Sequence, residues 1–500
     1  MNYILSVDQG TSSTKTLLFD EEGKVAAKAT QALNTSYYGE GFVEQQPEEI
    51  IENVLLSVKA CLDVFKASGG ELSAIKTCGI SNQRETFVIW DQNGTPLYNA
   101  IVWQCKRSVE VCSRLQQKGY ENQVREKTGL LIDPYFSGTK LIWLIENDAG
   151  VRAAMEEGRA YFGTVDTWLL FKLSGENNYY TDYTNASRTL FFNLKTLSWD
   201  LELLAAFGLS NINLPVIKPS SSHFGYTNFN GLLPAEISIT AMIGDSHAAA
   251  FGEGCFSPGS AKATLGTGCS VMMNVGAELK KSGSGMVSTI CWSTEERVDY
   301  GLEGVIVSCG ATVEWLKNEL HLFKDSRDTA TMAVQAMHNN GVYLIPAFSG
   351  MGAPYWDMNR KASINGLTFG THKNHIVRAA LESIAFQIKD VITAMENDAA
   401  TDLQELMVNG GITANEFVMQ FLADLLAKPV VEMGMPDVSA LGAAYLAGLY
   451  SGIFKDFEHL KTLNHQKHTH IAQDGQLQAL DAYRGWVALL TIETSSSIEN

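Results

Sequence analysis

One local device occurs twice in this chain, and it limits the fold more than any other feature. In the first copy, Tyr3 to Val7 is β-branched and aromatic, Gly10-Thr11-Ser12-Ser13 is turn chemistry, and Thr16 to Phe19 is apolar again. In the second, Ala263-Thr264-Leu265 leads into Gly266-Thr267-Gly268 and out through Ser270-Val271-Met272-Met273. Strand, Gly/Thr turn, strand reads as a β-hairpin. A device repeated at such long range reads as two similar halves. Apolar residues at helical spacing follow in each half, from Glu48 to Phe65 and from His375 to Met395, so the expected architecture is α/β. Gly252-Glu253-Gly254 and Ser257-Pro258-Gly259-Ser260 punctuate the chain between the halves. The expected division is therefore into residues 1–250, residues 251–490 and a flexible polar tail over 491–500.

The turns carry the chemistry. Gly10 with the hydroxyls of Thr11, Ser12 and Ser13 presents backbone N–H and O–H donors, which suits an anion such as a nucleotide phosphate. Asp8 stands beside them and is a candidate for holding Mg²⁺, directly or through water. An ordinary hairpin turn with Asp8 as its cap fits the same residues. Thr267, in the second turn, is placed to grip phosphates from the opposite side. Ile243-Gly244-Asp245 supplies a further acidic residue at a strand end. Asn409-Gly410-Gly411-Ile412-Thr413-Ala414-Asn415, after an apolar run and before the helical Phe417 to Leu426, allows close backbone approach to a flat ligand such as adenine. A plain strand-to-helix turn would look the same.

Bulk properties narrow the partners. Thirty-seven Lys plus Arg against fifty-five Asp plus Glu leave a net charge of -18, which repels nucleic acid and anionic lipid. With 45% apolar and 18% charged residues the composition is that of an ordinary globular chain, and no run approaches a membrane span. The start, Met1-Asn2-Tyr3-Ile4-Leu5, lacks the basic lead of a signal peptide. Eight cysteines are scattered with no Cys-x-x-Cys pair, as expected of reduced thiols in the cytoplasm. His465, His468 and His470 cluster near the C-terminus, but Gln466, Lys467 and Thr469 are their neighbours. With no Cys or carboxylate in the cluster, a solvated loop is the expectation there.

Longer blocks carry a family resemblance. They are Ser81-Asn82-Gln83-Arg84-Glu85-Thr86, Ile101-Val102-Trp103-Gln104, Ile132-Asp133-Pro134-Tyr135-Phe136-Ser137, Gly163-Thr164-Val165-Asp166-Thr167-Trp168-Leu169 and Thr181-Asp182-Tyr183-Thr184-Asn185-Ala186-Ser187-Arg188-Thr189. The second half adds Pro346-Ala347-Phe348-Ser349-Gly350-Met351-Gly352-Ala353-Pro354-Tyr355-Trp356-Asp357 and Ala440-Leu441-Gly442-Ala443-Ala444-Tyr445-Leu446-Ala447-Gly448. From about Tyr3 to about Ile453 the chain resembles the glycerol kinases of the FGGY carbohydrate kinase family. The resemblance implies two actin/hexokinase-like (ribonuclease H-like) α/β domains with a central cleft. It implies ATP and Mg²⁺ as cofactors, and phosphorylation of glycerol to glycerol 3-phosphate or of a larger polyol or ketose. Arg84, Glu85, Trp103, Tyr135, Asp245 and Ser246 would line the acceptor pocket, with Asp245 as the general base. Thr11, Ser12, Ser13, Lys15, Thr267, Gly310, Glu314, Gly411 and Asn415 would face the nucleotide.

The chemistry of these residue types agrees. Arg84, Glu85 and Tyr135 can bond hydroxyls, and Trp103 can wall the carbons, although core packing would also account for the tryptophan. Several positions depart from the pattern. Ser246 stands where Gln is usual and Ser270 where an aromatic is usual, which widens the expected pocket. Lys15 replaces the usual Arg, Glu314 the usual Gln, and Asn409 the usual Asp. Phe224 to Leu233 lacks the Gly/Arg-rich stretch that a sugar-bisphosphate inhibitor would need. The expected partner is a small polyol or sugar, with oligomeric state left open.

Overall fold

The computed structural model describes residues 1–463 and 467–496. Its first large sheet is built from β1 (Tyr3–Gln9), β2 (Ser13–Phe19), β3 (Val25–Ala32), β4 (Ile75–Asn82), β5 (Ser221–Thr227) and β6 (Ile237–Gly244), in the order β5-β6-β4-β1-β2-β3. β1, β2 and β3 run antiparallel, β4 is parallel to both β1 and β6, and β5 closes the edge antiparallel. The second sheet holds β7 (Ser260–Leu265), β8 (Cys269–Gly276), β9 (Val287–Ser293), β10 (Val298–Ile306), β11 (Glu405–Asn409), β12 (Val430–Met433) and β13 (Lys467–His470), in the order β9-β10-β8-β7-β11-β12-β13. β7, β8 and β10 are antiparallel, β11 is parallel to β7 and β12, and β13 closes that edge antiparallel. Strand for strand the second sheet repeats the first, with β9 added outside β10. The two Gly/Thr turns occupy equivalent places, one between β1 and β2, the other between β7 and β8.

Helices cover the sheets. α1 (Pro47–Ala67) buries Ile50, Val54, Val58, Cys61, Leu62 and Phe65, one apolar stripe at helical spacing, against β2 and β3. α2 (Asp245–Gly252) starts on the residue after β6 ends. α3 (Gly310–Asn318), α4 (Lys373–Ala399), α5 (Glu416–Leu426), α6 (Val438–Tyr450) and α7 (Gln476–Ser496) belong to the second half. α6 crosses over and packs on β1, β4, β6 and α2 of the first half. Ile4, Leu17, Ile243, Ala248, Phe251, Ala440, Ala444 and Leu446 share one buried cluster there, so the halves are joined by a common apolar core. At the α2–α6 crossing the backbones touch: a Cβ on Gly442 would fall 1.8 Å from the Ala248 carbonyl oxygen, and one on Gly252 would fall 2.3 Å from that of Val438. Only glycine fits at either place.

From two stretches, one between β3 and α1 and one between β4 and β5, the chain builds a smaller layer that a two-domain expectation does not include. A five-stranded sheet of Ser36–Tyr38, Phe42–Gln45, Ala100–Ile101, Phe87–Trp90 and Tyr161–Thr164 carries its own apolar cluster, which includes Phe87, Leu141, Phe162 and Phe191. Trp103 and Tyr135 pack against that cluster.

Two expectations near the C-terminus are corrected. α7 continues to Ser496, so the segment from 491 begins as helix rather than as a loose tail, and residues 497–500 lie outside the described residues. His468 and His470 are on β13, paired with β12, rather than in a loop, and His465 lies outside the described residues. The sequence offers few β-branched residues there, and it is the edge of β12 that makes the strand.

Candidate active site

The end of β4 delivers Arg84 and Glu85, and the end of β6 delivers Asp245 as the first residue of α2. Glu85 holds φ of 60°, a left-handed backbone that a non-glycine residue adopts only under constraint. Arg84 Nε lies 3.4 Å from Asp245 Oδ1 and its Nη2 lies 2.8 Å from Glu303 Oε1 on β10. Arg188 completes a ring of buried charge, with Nε donating to Glu85 Oε1 at 2.6 Å and Nη1 2.9 Å from Glu303 Oε2. Despite burial, the Arg188 and Arg84 guanidinium groups hold Glu303 well below the usual carboxylate range. Glu303 and Glu85 likewise keep Arg84 firmly charged despite its burial.

Arg84 Nη1 is buried and bonded to no protein atom. A buried guanidinium donor without an acceptor is costly, and a ligand hydroxyl would satisfy it. Tyr135 Oη accepts a long bond of 3.5 Å from Arg84 Nη2, and the Trp103 ring stands edge-on to Tyr135 with centroids 5.6 Å apart. Trp103 is half-buried, and its Nε1 donates to Thr11 Oγ1 at 2.9 Å, which ties the wall of the acceptor region to the first turn.

Ser246 and Ser270 sit beside this ring and both are already engaged. Ser246 Oγ accepts from Lys262 Nζ at 2.6 Å, and Ser270 Oγ donates to Glu303 Oε1 at 3.2 Å. A hydroxyl can donate once and accept twice, so Ser246 keeps a proton to give and Ser270 keeps lone pairs. Lys262, on β7, also reaches Thr264 Oγ1 at 3.0 Å. Burial pulls its ammonium below the usual lysine range, against the carboxylates of Glu253, Glu303 and Asp245.

The carboxylates fit a cation. Burial pushes Asp8 up to about 6, against the pull of Lys15 and with the repulsion of Asp245. Asp245 is also raised by burial, with Arg84 opposing, although its side chain is 39% exposed. Two carboxylates that repel each other and resist ionisation gain from a divalent ion between or beside them.

The residues expected to face the nucleotide are less charged and more open. Among the described residues the Ser12, Ser13 and Thr267 hydroxyls make no hydrogen bond. Gly310 opens α3 with its N–H on the Gly266 carbonyl at 2.9 Å, so it secures the second turn rather than offering a free donor. A Cβ there would meet that carbonyl oxygen at 2.7 Å, hence glycine. Beside Gly411 there is nothing within 4 Å of an added Cβ. Asn415 caps α5 through Val418 N at 3.2 Å and donates to Thr329 Oγ1 at 2.9 Å.

Two residues expected to face the nucleotide also have protein partners. Lys15 Nζ lies 3.1 Å from Asp437 Oδ1 ahead of α6, where Lys28 joins at 2.5 Å. Glu314 is exposed, and its carboxylate is taken by Ser326 and Asn318. Asn409 donates to buried Glu253 at 2.7 Å, a bond that an aspartate could not make.

Sequence reading missed Glu303, Arg188 and Lys262 as parts of the site. A signal existed. Glu303 interrupts Gly301-Leu302-Glu303-Gly304-Val305-Ile306, and Lys262 interrupts Ser260-Ala261-Lys262-Ala263. A lone charge in an apolar strand needs a buried partner.

Paired ribonuclease H-like sheets, hydroxyl-bearing turns on both, and a carboxylate between them define a phosphotransferase. The chain belongs to the FGGY family of carbohydrate kinases: its N-terminal domain model matches residues 3–252 and its C-terminal domain model matches residues 261–450. It is a kinase of glycerol kinase type. A glycerol kinase of Thermoanaerobacter pseudethanolicus is 44% identical over 97% of both chains, and glycerol kinase 2 of Thermotoga maritima is 46% identical over 93% of both. The crystal structure of Plasmodium falciparum glycerol kinase with ADP superposes with a TM-score of 0.93, at 35% identity and 98% coverage of each chain.

Proposed function

We propose that this kinase transfers the γ-phosphoryl group of ATP to glycerol, giving glycerol 3-phosphate and ADP. The observation that carries this reading is Asp245, held 3.4 Å from Arg84 with its side chain 39% exposed, at the end of the strand that leads to it. Asp245 takes the proton of the attacking hydroxyl at its carboxylate, and Arg84, Glu85 and Tyr135 orient the hydroxyls against Trp103. Thr11, Ser12, Ser13 and Thr267 hold the phosphates, and the opening beside Gly411 receives the adenine. Asp8 would hold Mg²⁺, whose charge offsets that of the transferring phosphoryl group. A base contributes modestly in such a reaction, and positioning with charge neutralisation does most. The eight cysteines are all free and buried, in keeping with a reducing cytoplasm. Among the described residues no helix is long and apolar enough to cross a membrane.

A screen of three- to six-carbon polyols and ketoses with ATP and Mg²⁺ tests the reading. Glycerol should give the highest kcat/KM, and a five-carbon acceptor that exceeds it would replace glycerol as the substrate. Ser246 and Ser270 support a second reading, a larger polyol or ketose, because each keeps unused bonding capacity beside the ring. The double variant Ser246→Gln with Ser270→Phe should raise the preference for glycerol over longer acceptors by about 1–3 kcal/mol. An unchanged ratio would remove the serines from substrate sizing.

A further inference from the structure

Far along the second sheet, the fold assembles a set of side chains that the phosphoryl-transfer site does not use. His468 and His470 stand two apart on β13, so both project from one face of the strand, and their ring centroids lie 4.4 Å apart at 27°. Glu416, the first residue of α5, meets them there. One ligand atom from each of Glu416, His468 and His470 lies within 4.8 Å of the other two. Glu416 and His468 are exposed, whereas His470 is buried and its Nε2 sits 2.8 Å from Glu432 Oε1 on the neighbouring β12. The carboxylates whose lack argued against a metal in the sequence are thus supplied by the fold, from positions distant in the chain. Both histidines lie beyond residues 261–450, the stretch matched by the family's C-terminal model.

We propose that Glu416, His468 and His470 form a binding site for a divalent transition-metal ion of the zinc class. Two imidazoles and a carboxylate are the donor set such ions take with an open fourth position, and Mg²⁺, which demands oxygen ligands, does not compete well for it. Ligands about 2.0–2.2 Å from a tetrahedral ion stand about 3.4 Å from one another. The spread of 4.8 Å is closed by rotation of the two exposed side chains towards the fixed one. Glu432 is the orienting carboxylate: it holds the His470 ring in one plane, as the outer partner of a metal-bound imidazole does. The cysteines, the softer competitors for such an ion, are all buried. Glu416 directly follows Asn415, the cap of α5, so the bound ion ties the first turn of that helix to the sheet edge.

Calorimetric titration of Zn²⁺ into the metal-free full-length protein, with Mg²⁺ in large excess, reads the site without reference to kinase activity. One saturable equivalent is expected. His468→Ala and Glu416→Gln, both at exposed side chains, should each abolish it while leaving the thermal midpoint of the metal-free protein and its Mg²⁺-dependent turnover unchanged. Glu432→Gln should weaken it about 10–100-fold, the usual effect of losing an orienting partner. Co²⁺ in place of Zn²⁺ should give a visible ligand-field band that His468→Ala removes. Absence of a saturable equivalent in the wild-type protein, or an undiminished one in His468→Ala or Glu416→Gln, overturns the assignment. Neither result bears on whether glycerol is phosphorylated.

Discussion

The two sides of the proposed site differ sharply in chemistry. On the proposed acceptor side Arg84, Arg188, Glu85 and Glu303 form a buried ring of charge, each at most 6% exposed. On the nucleotide side the groups are glycines and hydroxyls, and Gly266 and Thr267 are exposed. A small neutral polyol brings little binding energy, so its pocket must be rigid and preorganised by strong internal bonds. A triphosphate brings its own charge and needs close approach and many weak donors. Removing one member of the ring should therefore cost far more than removing one hydroxyl from a turn.

The largest effect is expected at Asp245, the proposed base. Asp245→Asn should lower kcat by about two to four orders of magnitude, with acceptor KM nearly unchanged. Turnover near that of the wild type in steady-state assays would unseat Asp245 as the base.

Next comes the ring. Arg188→Met leaves Glu85 and Glu303 short of a buried cation and should cost about 3–5 kcal/mol of stability in urea unfolding. A loss below 1 kcal/mol would mean that the ring is hydrated and that the contrast with the turns is overstated.

Acid should weaken the cation site by an intermediate amount. Asp8 carries its proton below about pH 6 in the folded chain, and a protonated carboxyl cannot hold Mg²⁺. At limiting Mg²⁺, kcat/KM should rise with pH up to about 6, changing about tenfold per unit below it. More Mg²⁺ should displace the proton and move this limb to lower pH. A limb indifferent to Mg²⁺ would belong to Asp245 instead, which burial also raises. The same shift makes Asp8 oppose folding increasingly as pH climbs from about 4 to about 6, because the folded chain keeps the proton that the unfolded chain gives up.

The smallest effect should come from the turns. Thr267→Ala removes one donor among several and should raise KM for ATP about 2- to 12-fold, the worth of about 0.5–1.5 kcal/mol. A loss as large as that of Arg188→Met would abolish the distinction between the two sides.

Much of this arrangement was legible in the sequence, and the reasons are physical. Hairpin turns, strand ends and amphipathic helices are local, so Gly10 to Ser13, Gly266 to Gly268 and α1 could be read from spacing. The resemblance singled out Arg84, Trp103, Tyr135 and Asp245, and the fold brings them together. Glu303 and Lys262 were not singled out, because a charge inside an apolar strand is understood only when its partners arrive from elsewhere in the chain. Arg188 meets Glu303 across 115 positions, a pairing that no local pattern encodes. Lys15 shows the converse. The resemblance put it on the nucleotide side, and its ion pair with Asp437, from the far end of the chain, could not be read from local pattern. The smaller five-stranded sheet was invisible because its strands are short and several come from separate stretches of the chain.

The glycine contact between α2 and α6 has a mechanical consequence. Where helices interdigitate, rotating one against the other must pull ridges out of grooves, and the lost packing resists the motion. Gly252 and Gly442 present bare backbone to each other, so at the crossing no side chain has to disengage. The contact is therefore stiff to compression, since the chains are already at their closest approach, and offers a twist no side chain to catch on at that point. Asp245 is the first residue of α2, so any twist at this contact would be felt directly at its carboxylate.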